Sequence, residues 1–547
     1  MDARRFRVET VAGLTLLAVL IALGIGPLVT PSVSEQNELS TDRVIDHVEA
    51  ISEEPHPMGS EAIVPVRAYL TEQITALGLD PESQEITTPD YFGAPGATVD
   101  VINIMTRIPG DNPSKAVLII GHYDSVPTTP GANDNAVAVG VMLEVAEVLV
   151  EGPPIANDVI LLFTDGEEPA PRYGSRAFVS DHPWMGDVGF VVNLEAAGLS
   201  GPSTVAETSG ADRWVIDGYA EGAPSPVAYS FVTEIIGLIG EVGTDFDSFK
   251  DLDLPGIHFA YMRGSPAYHT ADDSVDNIGI DSAAHHGSNV LGILEAFSET
   301  DLSDQHEEEA GVYFAVGRSS LIRYPAAWSL PLSLVGLVLF GIAIMTGMRR
   351  RVCSFVPVLK SGLRTLGGLF ISLVAATAVW WGITGLRSSP GVVESYAYLV
   401  LLLLLTGAVW HRVATRDHAG PAGRMGGVVL VWVVLSVATG VWLPGTNYLF
   451  VWSALTASIV LLIPLVGLLD GLWWRLLALA VVAAPVIVLM IPAVDVFFQM
   501  AMPRPGNPGS EIVFIVGGAA FLGYLAIALI AATWTTGRSS ASAGSSP

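Results

Sequence analysis

The sequence predicts an α/β domain with a mostly parallel central sheet flanked by helices, followed by an α-helical transmembrane bundle. Three observations predict it. Short apolar runs between residues 98 and 261 alternate with a stretch patterned at helical spacing, as in a parallel sheet joined by helical crossovers. Four of five short stretches bearing an acid or an imidazole sit at or just past such a run, where open α/β sheets gather ligand sites. From residue 327 onward, apolar stretches recur at the length of about 20 residues that crosses a bilayer as helix.

Taken in order, residues 10–30 are apolar and follow Arg4, Arg5 and Arg7. They read as an N-terminal anchor (1–30). The competing reading is a signal peptide cut near Ser32-Val33-Ser34, but the apolar core exceeds the roughly 7–15 residues usual for a signal. Residues 31–60 are mostly polar and end in a turn at Glu54–Ser60, where two prolines and a glycine disfavour helix. Residues 62–79 read as helix. Strands are expected at 98–106, 116–121, 158–164, 188–194 and 254–261, with the helix Ala136–Val150 between the second and third. A helix over 281–298 and a solvated acidic run over 299–310 close the domain 31–310. A linker is expected at 311–326, then seven spans within 327–538, at 327–347, 366–386, 393–411, 426–443, 449–469, 473–495 and 512–534. Residues 539–547, rich in Ser, Ala and Gly, read as a disordered tail.

Charge divides the 547 residues sharply. Residues 31–325 carry 48 acids against 11 bases, whereas the whole chain has a net charge of −29. That negative field argues against nucleic acid as a partner, and the apolar stretches make the lipid bilayer one. Arg349, Arg350, Arg351, Lys360, Arg364, Arg412, Arg416, Arg424, Arg475 and Arg538 fall on one side of an eight-span arrangement, against Arg387 and Arg504 on the other. The excess of Lys and Arg in cytoplasmic loops then puts both termini in the cytoplasm and the acidic domain outside it. The single cysteine, Cys353, rules out an intramolecular disulfide. A domain of this size can rely on its core instead.

The candidate chemistry lies at the strand ends. His122 and Asp124 leave the 116–121 strand two residues apart and share a face if the chain stays extended. A neutral imidazole can bind metal while a carboxylate fixes its tautomer. Asp134 stands in a Pro/Gly-rich loop just before a helix, where it is either a ligand or a cap. Asp165-Gly166-Glu167-Glu168 ends the 158–164 strand. Glu167 and Glu168 are either an exposed acidic turn or a pair in which one ligates metal and the other takes a proton from water. Glu195 ends the 188–194 strand, satisfied there by solvent or by a ligand. His269, between Tyr268 and Thr270, is a surface histidine or a ligand. Asp245 is a further polar candidate, and His258, inside a strand, reads as a core residue.

These segments resemble the M28 family of zinc peptidases across about residues 40–300. The motifs are His56–Ser60, Gly121-His122-Tyr123-Asp124-Ser125, Gly131–Asn135, Asp165–Glu168, Gly174–Phe178, Asn193–Gly198, Gly243-Thr244-Asp245-Phe246 and Tyr268-His269-Thr270. The multispan region that follows resembles the endoplasmic-reticulum and vacuolar membrane members. The resemblance implies a zinc-exopeptidase-like domain holding two Zn2+, with Co2+ or Mn2+ as substitutes, and peptides as substrates. It implies that Asp134 bridges the ions, that His122 and Glu195 complete one shell, and that Glu168 and His269 complete the other. It makes Glu167 the general base and Asp124 the group that orients His122, and it gives Tyr268 a part in stabilising the oxyanion. The chain departs from the family pattern at Pro169-Ala170-Pro171-Arg172-Tyr173, which replaces a small, apolar loop. The activity expected is therefore that of a membrane-embedded aminopeptidase working outside the cytoplasm. Two other functions compete. A glutaminyl-cyclase-like acyltransferase would use one zinc, against which stand five candidate ligands. A non-enzymatic receptor or transporter is opposed by the intact ligand and base set, and by spans whose ionisable residues Asp470, Arg475 and Asp495 lie near their ends.

Overall fold

The computed structural model describes residues 15–32, 39–168, 171–210, 212–250, 252, 254–304, 309–386, 392–466, 472–500 and 512–542. Two compact units emerge: Val29–Arg323 form one, and the residues up to Leu28 together with those from Tyr324 onward form the other.

In the first unit β1 (Glu82–Pro89), β2 (Thr98–Ile108), β3 (Ala116–His122), β4 (Asp158–Thr164), β5 (Val188–Ala196), β6 (Thr204–Ser209) and β7 (Gly256–Tyr261) form one sheet in the order β1-β2-β4-β3-β5-β7-β6. The central strands β4, β3, β5 and β7 are mutually parallel, and β1, β2 and β6 run antiparallel to their neighbours. Helices α1 (Thr41–Ile51), α2 (Ile63–Ala76), α3 (Val137–Glu151), α4 (Tyr173–Asp181), α5 (Asp212–Gly222), α6 (Ser230–Ile239), α7 (Asp247–Lys250) and α8 (Ile280–Phe297) surround it. The parallel strands are apolar on both faces because both are covered. From β3, Val117 and Ile119 join a core with Val141 of α3 and Val290 of α8, while Leu118 and Ile120 join Phe178 of α4 and Phe249 of α7. Each such buried side chain contributes about 1.5–3 kcal/mol.

Register sets up the site. His122 pairs with Thr164, Ile120 with Asn193, and Glu195 with Ala260. Parallel strands aligned in this way deliver His122, the loop after Thr164 and Glu195 to one edge of the sheet.

Several elements were not anticipated. Helix α1 lies in the stretch read as mostly polar, because only Val44, Val48 and Ile51 face the core; Ser40 caps it by accepting the Arg43 N–H. The expected linker 311–326 holds β8 (Gly311–Val316) and β9 (Ser320–Pro325), a two-stranded sheet. The reason is packing. Val312, Tyr313 and Phe314 are buried, Tyr313 Oη donates to Thr233 Oγ1 at 2.8 Å, and Gly311 N donates to Asp212 Oδ2 at 2.8 Å.

In the second unit, five helices among the described residues are long and apolar enough to cross a membrane: Ala326–Arg349, Phe355–Gly382, Tyr396–Thr415, Gly420–Trp442 and Leu476–Met500. The expected spans 10–30, 449–469 and 512–534 coincide with the apolar helix Thr15–Leu28 and with apolar parts, Tyr448–Leu462 and Gly518–Thr533, of the helices Tyr448–Val466 and Ile512–Ser542. Asn447 ties this unit together, donating to Ser333 Oγ, Ser436 O and Thr439 Oγ1 at 2.7–3.1 Å. Helix Ile512–Ser542 runs into the stretch expected as a tail, whose residues 543–547 lie outside the described ones.

Candidate metal centre

His122 is the last residue of β3. Its Nδ1–H donates to the backbone carbonyl of Asp124 at 3.0 Å, which leaves the Nε2 lone pair facing the strand ends. Nε2 lies 3.4 Å from Asp134 Oδ1 and 3.5 Å from Glu195 Oε2. On the other side, His269 Nε2 lies 2.7 Å from Glu168 Oε1 and 3.2 Å from Asp134 Oδ2. The two oxygens of Asp134 thus face two different imidazoles. Two groups, His122–Asp134–Glu195 and Asp134–Glu168–His269, each bring their ligand atoms within 4.8 Å of one another, and His122, Glu167 and Glu168 form a third. The five expected ligands and the expected base therefore converge from two strands, β3 and β5, and three loops.

Local chemistry explains the convergence. Gly131, at φ +70°, begins the Asp134 loop, and Gly166, at φ +72°, turns the chain between Asp165 and Glu167; both lie in the left-handed region that favours glycine. Asp165 is drawn away from the site, accepting from Arg67 Nη2 at 2.5 Å and from Ile102 N at 2.9 Å. The Asp124 carboxylate does not make its closest contact with His122, from whose Nδ1 its Oδ1 lies 3.6 Å away. Instead it accepts the backbone N–H groups of Glu167 and Glu168 at 3.2 and 3.1 Å. The Asp124 backbone carbonyl thus accepts from the imidazole, and its carboxylate, also near the ring, accepts from the backbone of the two glutamates. The Tyr268 ring stacks on His269 with centroids 3.7 Å apart. His258 Nδ1 points to Glu207 Oε2 at 3.2 Å in the neighbouring strand, and the buried Asp245 accepts from the Thr164 hydroxyl. Pro169 and Ala170 of the departing loop lie outside the described residues.

Two positioning residues escaped the sequence reading. Asp273, four residues past His269, accepts from Asn133 N at 2.7 Å, Asn133 Nδ2 at 3.0 Å and Asp134 N at 3.2 Å, so it fastens the Asp134 loop to the His269 loop. His286 of α8 donates through Nε2 to the backbone carbonyl of Glu195 at 3.1 Å. A side-chain pattern alone gives little sign of either, because their partners are largely backbone groups.

The electrostatics fit a cation. Burial, reinforced by Asp134, pushes Glu168 up to about 8, and burial, opposed by His122, lifts Glu167 well above the usual carboxylate range. Hydrogen bonds to Asp134 and Glu168 overcome burial and raise His269 to about 10. Hydrogen bonds from the two histidines likewise hold Asp134 well below the usual range against burial. Buried acids this close remain ionised together only beside positive charge. Glu195 Oε1 is buried and accepts no hydrogen bond. Two imidazoles and three carboxylates, with no thiolate, are a donor set that suits zinc.

Acids and imidazoles thus gather at the strand ends of an α/β domain around a shared carboxylate, an arrangement that could hold metal ions. Residues 103–294 match the model of Peptidase family M28. It is 32% identical over 302 residues to endoplasmic reticulum metallopeptidase 1 of Rattus norvegicus, covering 52% of this chain and 33% of that one. It is 28% identical over 295 residues to the vacuolar membrane protease of Candida dubliniensis, covering 52% of this chain and 31% of that one. The chain spans about a third of the length of these curated relatives. Among solved structures, the aminopeptidase from Aneurinibacillus sp. strain AM-1 is 15% identical, with a TM-score of 0.40, over 54% of this chain and 98% of that one.

Proposed function

We propose that this protein is a membrane-embedded two-zinc exopeptidase, an aminopeptidase that hydrolyses peptides on the extracytoplasmic side. The observation that carries the reading is Asp134, whose Oδ1 and Oδ2 lie 3.4 and 3.2 Å from the Nε2 atoms of His122 and His269. A carboxylate so placed fits two ions rather than one. His122 and Glu195 would hold the first, Glu168 and His269 the second, and Asp134 would be shared by both. Zinc held there would supply polarisation of the scissile carbonyl and acidification of water. Glu167 takes the proton from water and passes it to the leaving amine. Asp124 keeps Glu167 and Glu168 in place through their backbone N–H groups, and Tyr268, beside His269, stabilises the oxyanion. The acid-rich surroundings favour a substrate's free ammonium group, which supports trimming from the N-terminus.

The test is to incubate the purified protein, with and without zinc, with a peptide library that includes N-terminal glutamine peptides. Zinc-dependent loss of N-terminal residues is expected. Trimming of C-termini would overturn the aminopeptidase assignment. Cyclisation of N-terminal glutamine without hydrolysis would replace the peptidase by an acyltransferase.

A further inference from the structure

The loop bearing Glu167 and Glu168 is held on one side by Asp124. On its other side it is fastened to residues 241–250, a segment that supplies no candidate ligand. Arg172 makes the main connection. It stands four residues beyond Glu168 with φ +54°, in the left-handed region that non-glycine residues seldom adopt. Its side chain is only 6% exposed, with Nη1 2.8 Å from Asp247 Oδ2 and Nη2 2.5 Å from Glu241 Oε2. Asp247 Oδ2 also accepts Gly243 N at 2.8 Å, and Asp247 Oδ1 lies 2.7 Å from Lys250 Nζ, which pairs in turn with Glu207. Two more contacts cross the same seam: the Thr164 hydroxyl donates to Asp245, and the Ser175 and Ser248 hydroxyls lie 2.9 Å apart.

A buried guanidinium requires a partner, and removing one member of a buried pair leaves an uncompensated charge. Asp247 and Glu241 are those partners, and they reach Arg172 from a remote part of the chain. The clasp therefore fixes the far end of the short loop whose near end emerges from β4. Glu167 and Glu168 lie between these two fixed points.

We propose that Arg172 is a positioning residue for the reaction, fixing through Asp247 the loop that presents Glu167 and Glu168 toward Asp134 and His269. The proposal rests on the reading of the site as a two-zinc peptidase. It assigns a role to the segment in which the sequence departs from the family's small, apolar loop. Arg172 acts through the base and one metal ligand, so its loss alters kcat and zinc affinity while leaving KM nearly constant.

The experiment compares Arg172→Met, Arg172→Lys, Asp247→Asn and the double variant Arg172→Met/Asp247→Asn with the parent full-length protein in detergent. Peptide hydrolysis gives kcat and KM, and calorimetric titration with Zn2+ gives the affinity of each ion. Arg172→Met is expected to lower kcat at least tenfold with KM within twofold, and to weaken the less tightly held zinc at least tenfold. Arg172→Lys, which keeps one bond to Asp247, restores part of both. The double variant loses no more than the worse single variant, since the two residues act as a unit. Parental kcat and zinc affinity in Arg172→Met would overturn the proposal. So would a raised KM at unchanged kcat, or single-variant losses that multiply in the double variant. If Arg172→Met does not fold, Asp247→Asn, which conserves volume, decides by the same readouts. If the parent hydrolyses no peptide, the functional reading fails by itself and the zinc titration decides the role of Arg172.

Discussion

At the scale of the residue, the proposed reaction gives each side chain of the site a separate task. Glu167 is the base of the proposed reaction and none of the five ligands. Glu167→Gln keeps the shape and removes the basic oxygen, so hydrolysis should fall by about 10²–10⁴-fold with zinc content unchanged. Near-parental turnover would end that assignment. Asp134 faces both imidazoles, whereas His122 faces one half of the site. Asp134→Ala should therefore deplete both ions and His122→Ala mainly one, as read by elemental analysis of the purified proteins. A single tight ion in the parent would point to one-metal chemistry. In the sequence His122, Glu168 and Glu195 stand out at or just past the ends of apolar runs, whereas Asp134 and His269 lie in loops. Spacing on an extended chain placed the Asp124 carboxylate beside His122, where it lies at 3.6 Å, but gave no sign that Glu167 N and Glu168 N also donate to it. Asp273 was missed for a related reason: two of its three donors are main-chain groups, which leave no mark in a pattern of side chains.

At the scale of the element, the central strands and the long helices α2, α3 and α8 were legible because burial makes them continuously or periodically apolar. β1 was not, since its burial pattern is mostly exposed, and neither was the β8–β9 hairpin, whose short apolar run resembles the approach to a span. The junction between β4 and α4 offers a sharp test of close packing. A Cβ on Gly174 would meet Asn103 Oδ1 at 2.2 Å and Asp165 O at 2.6 Å. Both are held, since Asn103 Nδ2 donates to Gly174 O and to Gln84 Oε1, so neither can give way freely. Gly174→Ala should destabilise the first unit by about 1–3 kcal/mol, measured by urea unfolding followed by intrinsic fluorescence. An unchanged midpoint would mean that the β4–α4 junction is softer than its contacts imply.

At the scale of the whole molecule, the charge pattern of the sequence predicts the sides of the membrane and can be tested. Arginines of the short loops collect on one face, and the acidic domain follows the first apolar helix. A cysteine introduced at Ser303, which is exposed, should react with an impermeant thiol reagent on intact cells or spheroplasts, and native Cys353 should not. Labelling of Cys353 alone would reverse the orientation and move the proposed metal centre to the cytosol. The contact between His269 and Glu168 has a separate thermodynamic consequence. It joins residues 101 apart in the chain, a span whose closure in an unfolded polymer costs entropy that grows with the logarithm of its length. An ion seated between them acts as a reversible cross-link that only the folded chain can form. At free zinc a thousandfold above the dissociation constant, each such site adds about 4 kcal/mol to the folded state. A chelator should therefore lower the melting temperature of the acidic unit in proportion to the logarithm of free zinc, and leave the melting of the helical bundle where it was.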